Sequence, residues 1–318
     1  MTRSLLFRKE ATYFGIILYV CLAATAGNVR AQNLNDGLMM PKNNFCTGFM
    51  YTHDQWKNYW EGELKRDNGN IGSITTQSLM WYANYGIFNR LDVIAMVPYV
   101  KTTASQGTLH GMEGVQDLTV GFKYNFVRIK KEAIRFDAFG VINGSVPLTN
   151  YTPDFFPLSI GTHTKNITYR LTAYSRLKQG WFLNASAGYT WRSNTKLDRT
   201  SYYNGNEFIA SDQVKMPNVF DIFVSAGYHV GALQAQLQYT QMNTLGGGDI
   251  RRQDMPFVSN RMNTQRLGAL VMYYLPRPRG FAVRGSVDYT LAGRNMGQAT
   301  TLLAGLFYTI RFNQKDAQ

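Results

Sequence analysis

Between Gly114 and Phe126 the chain reads GVQDLTVGFKYNF, and its apolar and polar positions alternate strictly. Leu118, Val120, Phe122, Tyr124 and Phe126 fall on one side of an extended chain; Asp117, Thr119, Gly121, Lys123 and Asn125 fall on the other. A period of two marks a β-strand with one apolar and one polar face. The same pattern recurs from Phe45 to the C-terminus and predicts strands over about 45–54, 73–85, 91–103, 115–127, 132–146, 165–178, 180–193, 218–230, 232–244, 264–276, 281–293 and 298–312. That is about twelve strands, with ten and fourteen as the neighbouring counts, because 55–72 and 194–217 each have room to hide or lose a pair. Many are well above the roughly 5–6 residues of a soluble strand and close to the roughly 9–11 a tilted transmembrane strand requires.

Two further regularities decide what the apolar faces meet. Connections alternate between short ones, near 86–90, 128–131, 179, 231 and 277–280, and long ones, near 55–72, 104–114, 147–164, 194–217 and 245–263. Outer-membrane barrels sort their loops in this way, with short periplasmic turns and long outer loops, whereas a soluble sandwich has no reason to. Aromatic residues also bracket aliphatic centres: Trp181, Leu183, Ala185, Ala187, Tyr189 and Trp191 share one face, as do Phe281, Val283, Val287, Tyr289 and Leu291. That is the girdle of a lipid-facing strand. The expected fold is therefore an all-β, transmembrane antiparallel barrel over 45–312, with both termini in the periplasm.

The first residues set the compartment. Arg3, Arg8 and Lys9 precede an apolar run from Phe14 to Ala26, and Val29-Arg30-Ala31 follows. This is the layout of a secretory signal peptide cleaved near Ala31, and the run is too short to cross a bilayer comfortably. The expected organisation is a signal peptide over 1–31, an N-terminal segment over 32–44, the barrel, and a periplasmic tail over 313–318. Glycine at 29, tyrosine at 20 and phenylalanine at 19 against only 9 prolines suit many strands joined by tight turns. Cys21 lies within the apolar run, which leaves Cys46 alone in the mature chain and excludes an intrachain disulfide. The formal charge of +13 falls to +10 once four basic groups and one acid leave with residues 1–31. The basic residues are scattered singly, which argues against nucleic acid as a partner and for lipid headgroups or a polar lumen.

With the barrel topology in place, GMEGVQDLTVGFKYNF (111–126) resembles the G-x-x-D-L-x-x-x-x-K-Y-x-F strand of the MetA-pathway of phenol degradation family, and NRLDVIAMVPYV (89–100) resembles the strand preceding it there. The resemblance covers roughly 70–312. It implies a FadL-like outer-membrane barrel that transports hydrophobic or aromatic compounds, and it assigns no substrate ligand to any position.

The inward positions divide into two sets. One is polar: Asp117, Lys123, Arg135, Asp137, Arg170 and Arg176, continued by Asp221, Arg266, Arg284 and Asp288. Such residues either set permeation selectivity or simply pair across strands. The other is apolar: Met96, Pro98, Phe139, Phe223, Met272, Tyr274 and Phe307, which fit a hydrophobic solute path or packing around a plug. Pro98 requires an edge, a bulge or a break in its ladder, and a break would let a solute leave sideways. In the loop PLTNYTPDFFPLSIGTHT (147–164), Phe155 and Phe156 are candidates for the point where a solute first docks, or else they tuck into neighbouring loops. Leu38, Met39 and Met40 make the segment 32–44 either a lumen plug or a strap across the periplasmic turns.

Enzyme templates find little support. His53, His110, His163 and His229 show no metal-ligand spacing, and no cofactor or metal is expected. Asp221, Ser225 and His229 share an inward face, but successive members stand about 13 Å apart along a strand, too far for a triad. A barrel lipid hydrolase is the minor alternative. The main reading is passive uptake of small hydrophobic or aromatic molecules; its rival is a structural or partner-binding barrel that acts through its long outer loops.

Overall fold

The computed structural model describes residues 33–204, 207–251 and 255–312. The signal-peptide and tail expectations, 1–31 and 313–318, lie outside the described residues. Twelve long strands form the wall: β1 (Asn44–Trp56), β2 (Ile74–Phe88), β3 (Leu91–Ala104), β4 (Asp117–Lys130), β5 (Ile134–Pro147), β6 (Asn166–Leu177), β7 (Trp181–Arg192), β8 (Val219–Val230), β9 (Leu233–Thr244), β10 (Asn263–Tyr274), β11 (Phe281–Arg294) and β12 (Thr300–Arg311). Each pairs antiparallel with its sequence neighbours. The barrel closes where β1 pairs with β12, Asn44 opposite Arg311 and Gln55 opposite Thr300. Closure leaves no unpaired edge in the wall, which is the condition for crossing lipid with strands.

The faces fall as the alternation predicts. On β4, Val120, Phe122, Tyr124 and Phe126 are exposed on the outside, while Lys123 and Asn125 are buried within. On β7, Trp181, Leu183, Tyr189 and Trp191 point out, and Phe182, Asn184 and Ser186 point in. The ends are sorted too: the turns 89–90, 131–133, 178–180, 231–232 and 275–280 lie with both termini, and the loops 57–73, 105–116, 148–165, 193–218, 245–262 and 295–299 lie at the other end. The two regions able to alter the strand count form small hairpins outside the wall. Asn58–Glu61 pairs with Leu64–Asp67, and Tyr202–Asn204 pairs with Glu207–Ile209. Strands of three or four residues are too short to span the hydrocarbon region.

Bulges tune the wall. Between Asn125 and Val127 the register against β5 shifts by one residue, which turns Arg128 inward although its parity alone would point it at lipid. Pro98 faces another irregularity. Met96 lies opposite Thr119 and Tyr99 opposite Val115, so one extra residue sits on the β4 side, and the Gln116 N–H donates to the Pro98 carbonyl at 2.9 Å. A bulge absorbs the missing proline donor, and the wall stays bonded above and below it. Of the edge, bulge and break that Pro98 allows, the wall has the bulge.

Candidate functional site

The lumen is the candidate site, and its half nearest the chain termini is filled by the chain's own N-terminal segment. Residues 33–36 form a tight bend held by side chains: the Asn33 N–H donates to Asp36 Oδ2 at 2.7 Å, and Asn33 Oδ1 accepts from the N–H groups of Asn35 and Asp36. The segment then runs through the barrel interior. Leu38 and Met39 pack with Phe139, Tyr174 and Phe182, while Met40 packs with Met50, Tyr82, Ile94, Met272, Tyr274 and Phe307. All of these wall residues are inward, so the segment lies in the lumen and not across the turns. Gly37 is seated against the Tyr174 ring so closely that a Cβ there would stand 2.1 Å from Cγ of the tyrosine. Gly86 is needed for a similar reason, since a Cβ would stand 2.2 Å from the Pro41 carbonyl oxygen.

Polar contacts latch the segment. Lys123, with a fully buried side chain, donates to Asp36 Oδ1 at 2.8 Å and to the carbonyls of Asp36 and Asn33 at 2.6 and 3.1 Å, and its ammonium lies 5.2 Å from the centre of the Phe139 ring. The Met40 N–H donates to Asp92 Oδ2 at 2.8 Å, and Asn184 Nδ2 donates to the Asn35 carbonyl at 2.9 Å. A buried ammonium is tolerated only when paired and hydrogen-bonded, and the segment supplies that partner.

The remaining polar candidates belong to several groups. Buried Asp137 accepts from Asn125, Arg128 and Arg135. Arg170 pairs with Asp221 at 2.7 Å and donates to Ser186. Arg176 donates to the His229 carbonyl at 2.7 Å. Along β9 a rail of amides runs from Gln234 to Gln236 to Gln238 and ends on Asp288 Oδ1 at 2.7 Å. Arg266 and Arg284 face inward and appear in no ion pair among the described residues. Of the apolar candidates, Phe139 meets Leu38 and Met39, while Met96, Met272, Tyr274 and Phe307 belong to the cluster around Met40. Phe223 is buried and Pro98 half-buried, and neither joins those clusters. Asp221 is committed to Arg170 and His229 stacks on Tyr274 at 6.1 Å, an arrangement that does not assemble a triad.

At the outer mouth the loop 148–165 folds inward. Leu158 is fully buried, and its carbonyl accepts from Thr102 Oγ1 at 2.5 Å. The Tyr151 hydroxyl donates to Asp117 Oδ1 at 2.6 Å and accepts from the His163 N–H at 3.1 Å. Burial first, and the bond to Asp117 next, push the Tyr151 phenol well above its ordinary pKa. The two candidate phenylalanines part company: Phe155 is 48% exposed, whereas Phe156 packs against the cluster of Leu197, Val214, Met216 and Val258 from neighbouring loops. Phe156 therefore tucks into neighbouring loops. Outside the mouth Arg294 grips Asp249 with two bonds, at 2.8 and 2.7 Å, and reaches Glu63 at 2.8 Å.

Sequence reasoning missed Asp36, Asp92 and Arg128. Asp92 shares the parity of Ile94 and Met96, so its inward direction was readable, but Arg128 is turned by a bulge that leaves no local signature.

A closed wall of twelve strands, an outward apolar belt and a charged, occluded interior define an outer-membrane β-barrel. The chain belongs to the MetA-pathway of phenol degradation family, whose model matches residues 71–306. Among solved structures it is similar to the COG4313 outer membrane channel from Pseudomonas putida F1, at 14% identity and a TM-score of 0.71 over 88% of this chain and 100% of that one. The translocator domain of the autotransporter NalP from Neisseria meningitidis aligns over 98% of this chain and 100% of that one at 10% identity, with a TM-score of 0.47. The outer membrane protein OprD from Pseudomonas aeruginosa aligns over 89% and 97% at 10% identity, with a TM-score of 0.36. No curated protein matches the chain.

Proposed function

We propose that this protein is a channel for passive uptake of small hydrophobic or aromatic molecules across the outer membrane of a Gram-negative bacterium, reached after signal-peptide cleavage near Ala31. The observation that carries the reading is the apolar interior: Ile94, Met96, Leu270, Met272, Tyr274 and Phe307 line a lumen that a water-filled pore would keep polar. In the resting state residues 33–40 occupy this path as a plug. The family and the channel fold support transport in general terms. Uptake of aromatic and aliphatic solutes, compared between deletion and complemented cells, tests the reading, and removal of residues 34–42 from the mature chain is expected to raise conductance in planar bilayers.

A second reading has its own observation. Tyr203 and Phe208, at the hairpin over loop 193–218, are 68% and 60% exposed and make an edge-to-face pair. Exposed aromatics on an outer loop suit contact with a partner. Equal uptake in both strains would favour this barrel acting through its loops.

A further inference from the structure

The plug carries one carboxylate next to three apolar side chains, and the barrel wall answers both parts. Asp36 meets the Lys123 ammonium, while Leu38, Met39 and Met40 are buried among aromatic and thioether side chains. The lumen also holds a cation, Arg284, that makes no ion pair among the described residues. Among the described residues the ion pairs of the lumen are Lys123–Asp36, Arg128–Asp137, Arg135–Asp137 and Arg170–Asp221, and Arg284 is in none of them. Its Nε is buried and has no hydrogen-bond partner among the described residues. The carboxylates whose charge it feels, Asp36 and Asp288, are bonded to Lys123 and to Gln238.

Burying a guanidinium donor that no acceptor meets is unfavourable. An ionisable side chain left in that state inside a membrane protein marks a functional site, and the planar fork of arginine matches a carboxylate. Around Arg284 the wall is apolar: it pairs across the sheet with Met272, and Tyr82 and Tyr274 are its other electrostatic neighbours. Tyr82 in turn meets Phe307 edge to face at 5.8 Å.

We infer that Arg284 receives the carboxylate of an organic monoanion with an apolar body, in lumen space that the plug occupies in the resting channel. The apolar body takes the position of Met40 against Met272, Tyr82 and Phe307. Ligand and plug then compete for the same part of the lumen, so the solute that binds is one that displaces the plug. This rests on the channel reading and narrows its substrate class from small hydrophobic or aromatic molecules to those that carry a carboxylate, for which benzoate is the simplest aromatic probe.

Three isosteric probes test it: benzoate, benzamide and benzamidinium, titrated calorimetrically into the mature full-length protein in a non-ionic detergent at neutral pH. Assembly of every variant is checked by its heat-dependent gel mobility. Benzoate binds most tightly and benzamidinium least. Arg284→Gln lowers benzoate affinity about tenfold, as loss of one hydrogen bond to a charged group does, and leaves benzamide unchanged. Arg284→Lys recovers part of the loss, and Asp36→Asn, which weakens the plug's bond to Lys123, strengthens benzoate binding. The inference is overturned if benzamide or benzamidinium binds as well as benzoate, if Arg284→Gln leaves the ratio intact, or if none of the three binds. Failure of the channel reading is a separate result: the binding order holds while uptake and conductance are absent.

Discussion

Replacing Lys123 with Met tests whether the plug is held by a buried charge. The methionine keeps the apolar stem beside Phe139 and removes the ammonium that bonds Asp36 Oδ1 and two carbonyls at 2.8, 2.6 and 3.1 Å. Breaking a fully buried ion pair costs about 3–5 kcal/mol, because the surviving charge is stranded. Here the survivor is not fully stranded: the Asp36 side chain is 20% exposed and still accepts from the N–H groups of Asn33 and Leu38. The lower end of the range, about 3 kcal/mol, is therefore the expected loss. That corresponds to about a hundredfold shift of the plugged–unplugged equilibrium towards the open form. The assay is single-channel recording in planar bilayers, with the 34–42 deletion as the fully open reference. Lys123→Met should raise open probability towards that reference, while thermal stability of the barrel stays within the small range of the deletion's own effect. Unchanged open probability in an assembled Lys123→Met barrel, beside a deletion that does open, would refute the latch.

Gly37→Val should unseat the same segment by sterics alone, since any Cβ meets the Tyr174 ring, and the expected readout is deletion-like conductance with normal barrel assembly. Asp137→Asn leaves Arg128 and Arg135 without their shared carboxylate; a loss of about 3–5 kcal/mol should appear as a lower temperature for the heat-dependent gel shift. Phe155→Ser should reduce solute uptake and leave the outer loops protease-resistant, whereas Phe156→Ser should open the 148–165 loop to proteolysis by removing its contact with the Leu197 cluster. Asp249 is held down to about 2, first by the Arg294 hydrogen bonds, against the opposing effect of burial, and then by the Asn295 bond and the charges of Arg294 and Arg261. A depressed carboxylate stabilises fully above its unfolded value near 4 and loses that contribution as pH falls through the folded one. Pepsin should therefore leave the 245–262 loop intact at pH 4 and cut it near pH 2.

The sequence by itself determined the wall. Side chains on a strand alternate with a fixed period, and lipid accepts only apolar groups, so Phe122 and Tyr124 on one side and Lys123 and Asn125 on the other were sorted before any partner strand was known. Loop parity followed from the same pattern, because an up-and-down barrel places alternate connections at opposite ends. The inward direction of Asp137, Arg170, Asp221, Arg284 and Asp288 was legible for that reason. Their partners were not, because pairing depends on register between strands and on bulges. Arg128 reaches Asp137 only because one extra residue in β4 reverses its face. The bulge opposite Pro98, the split fates of Phe155 and Phe156, and the inward fold of loop 148–165 depend on contacts between segments far apart in the chain. The plug shows the division most plainly. Leu38, Met39 and Met40 announced that the N-terminal segment must be covered, as apolar side chains gain nothing in water. Only the closed barrel decided that the cover is the lumen itself, since Phe139, Tyr174 and Tyr82 come from three strands that meet around the segment once the wall has closed.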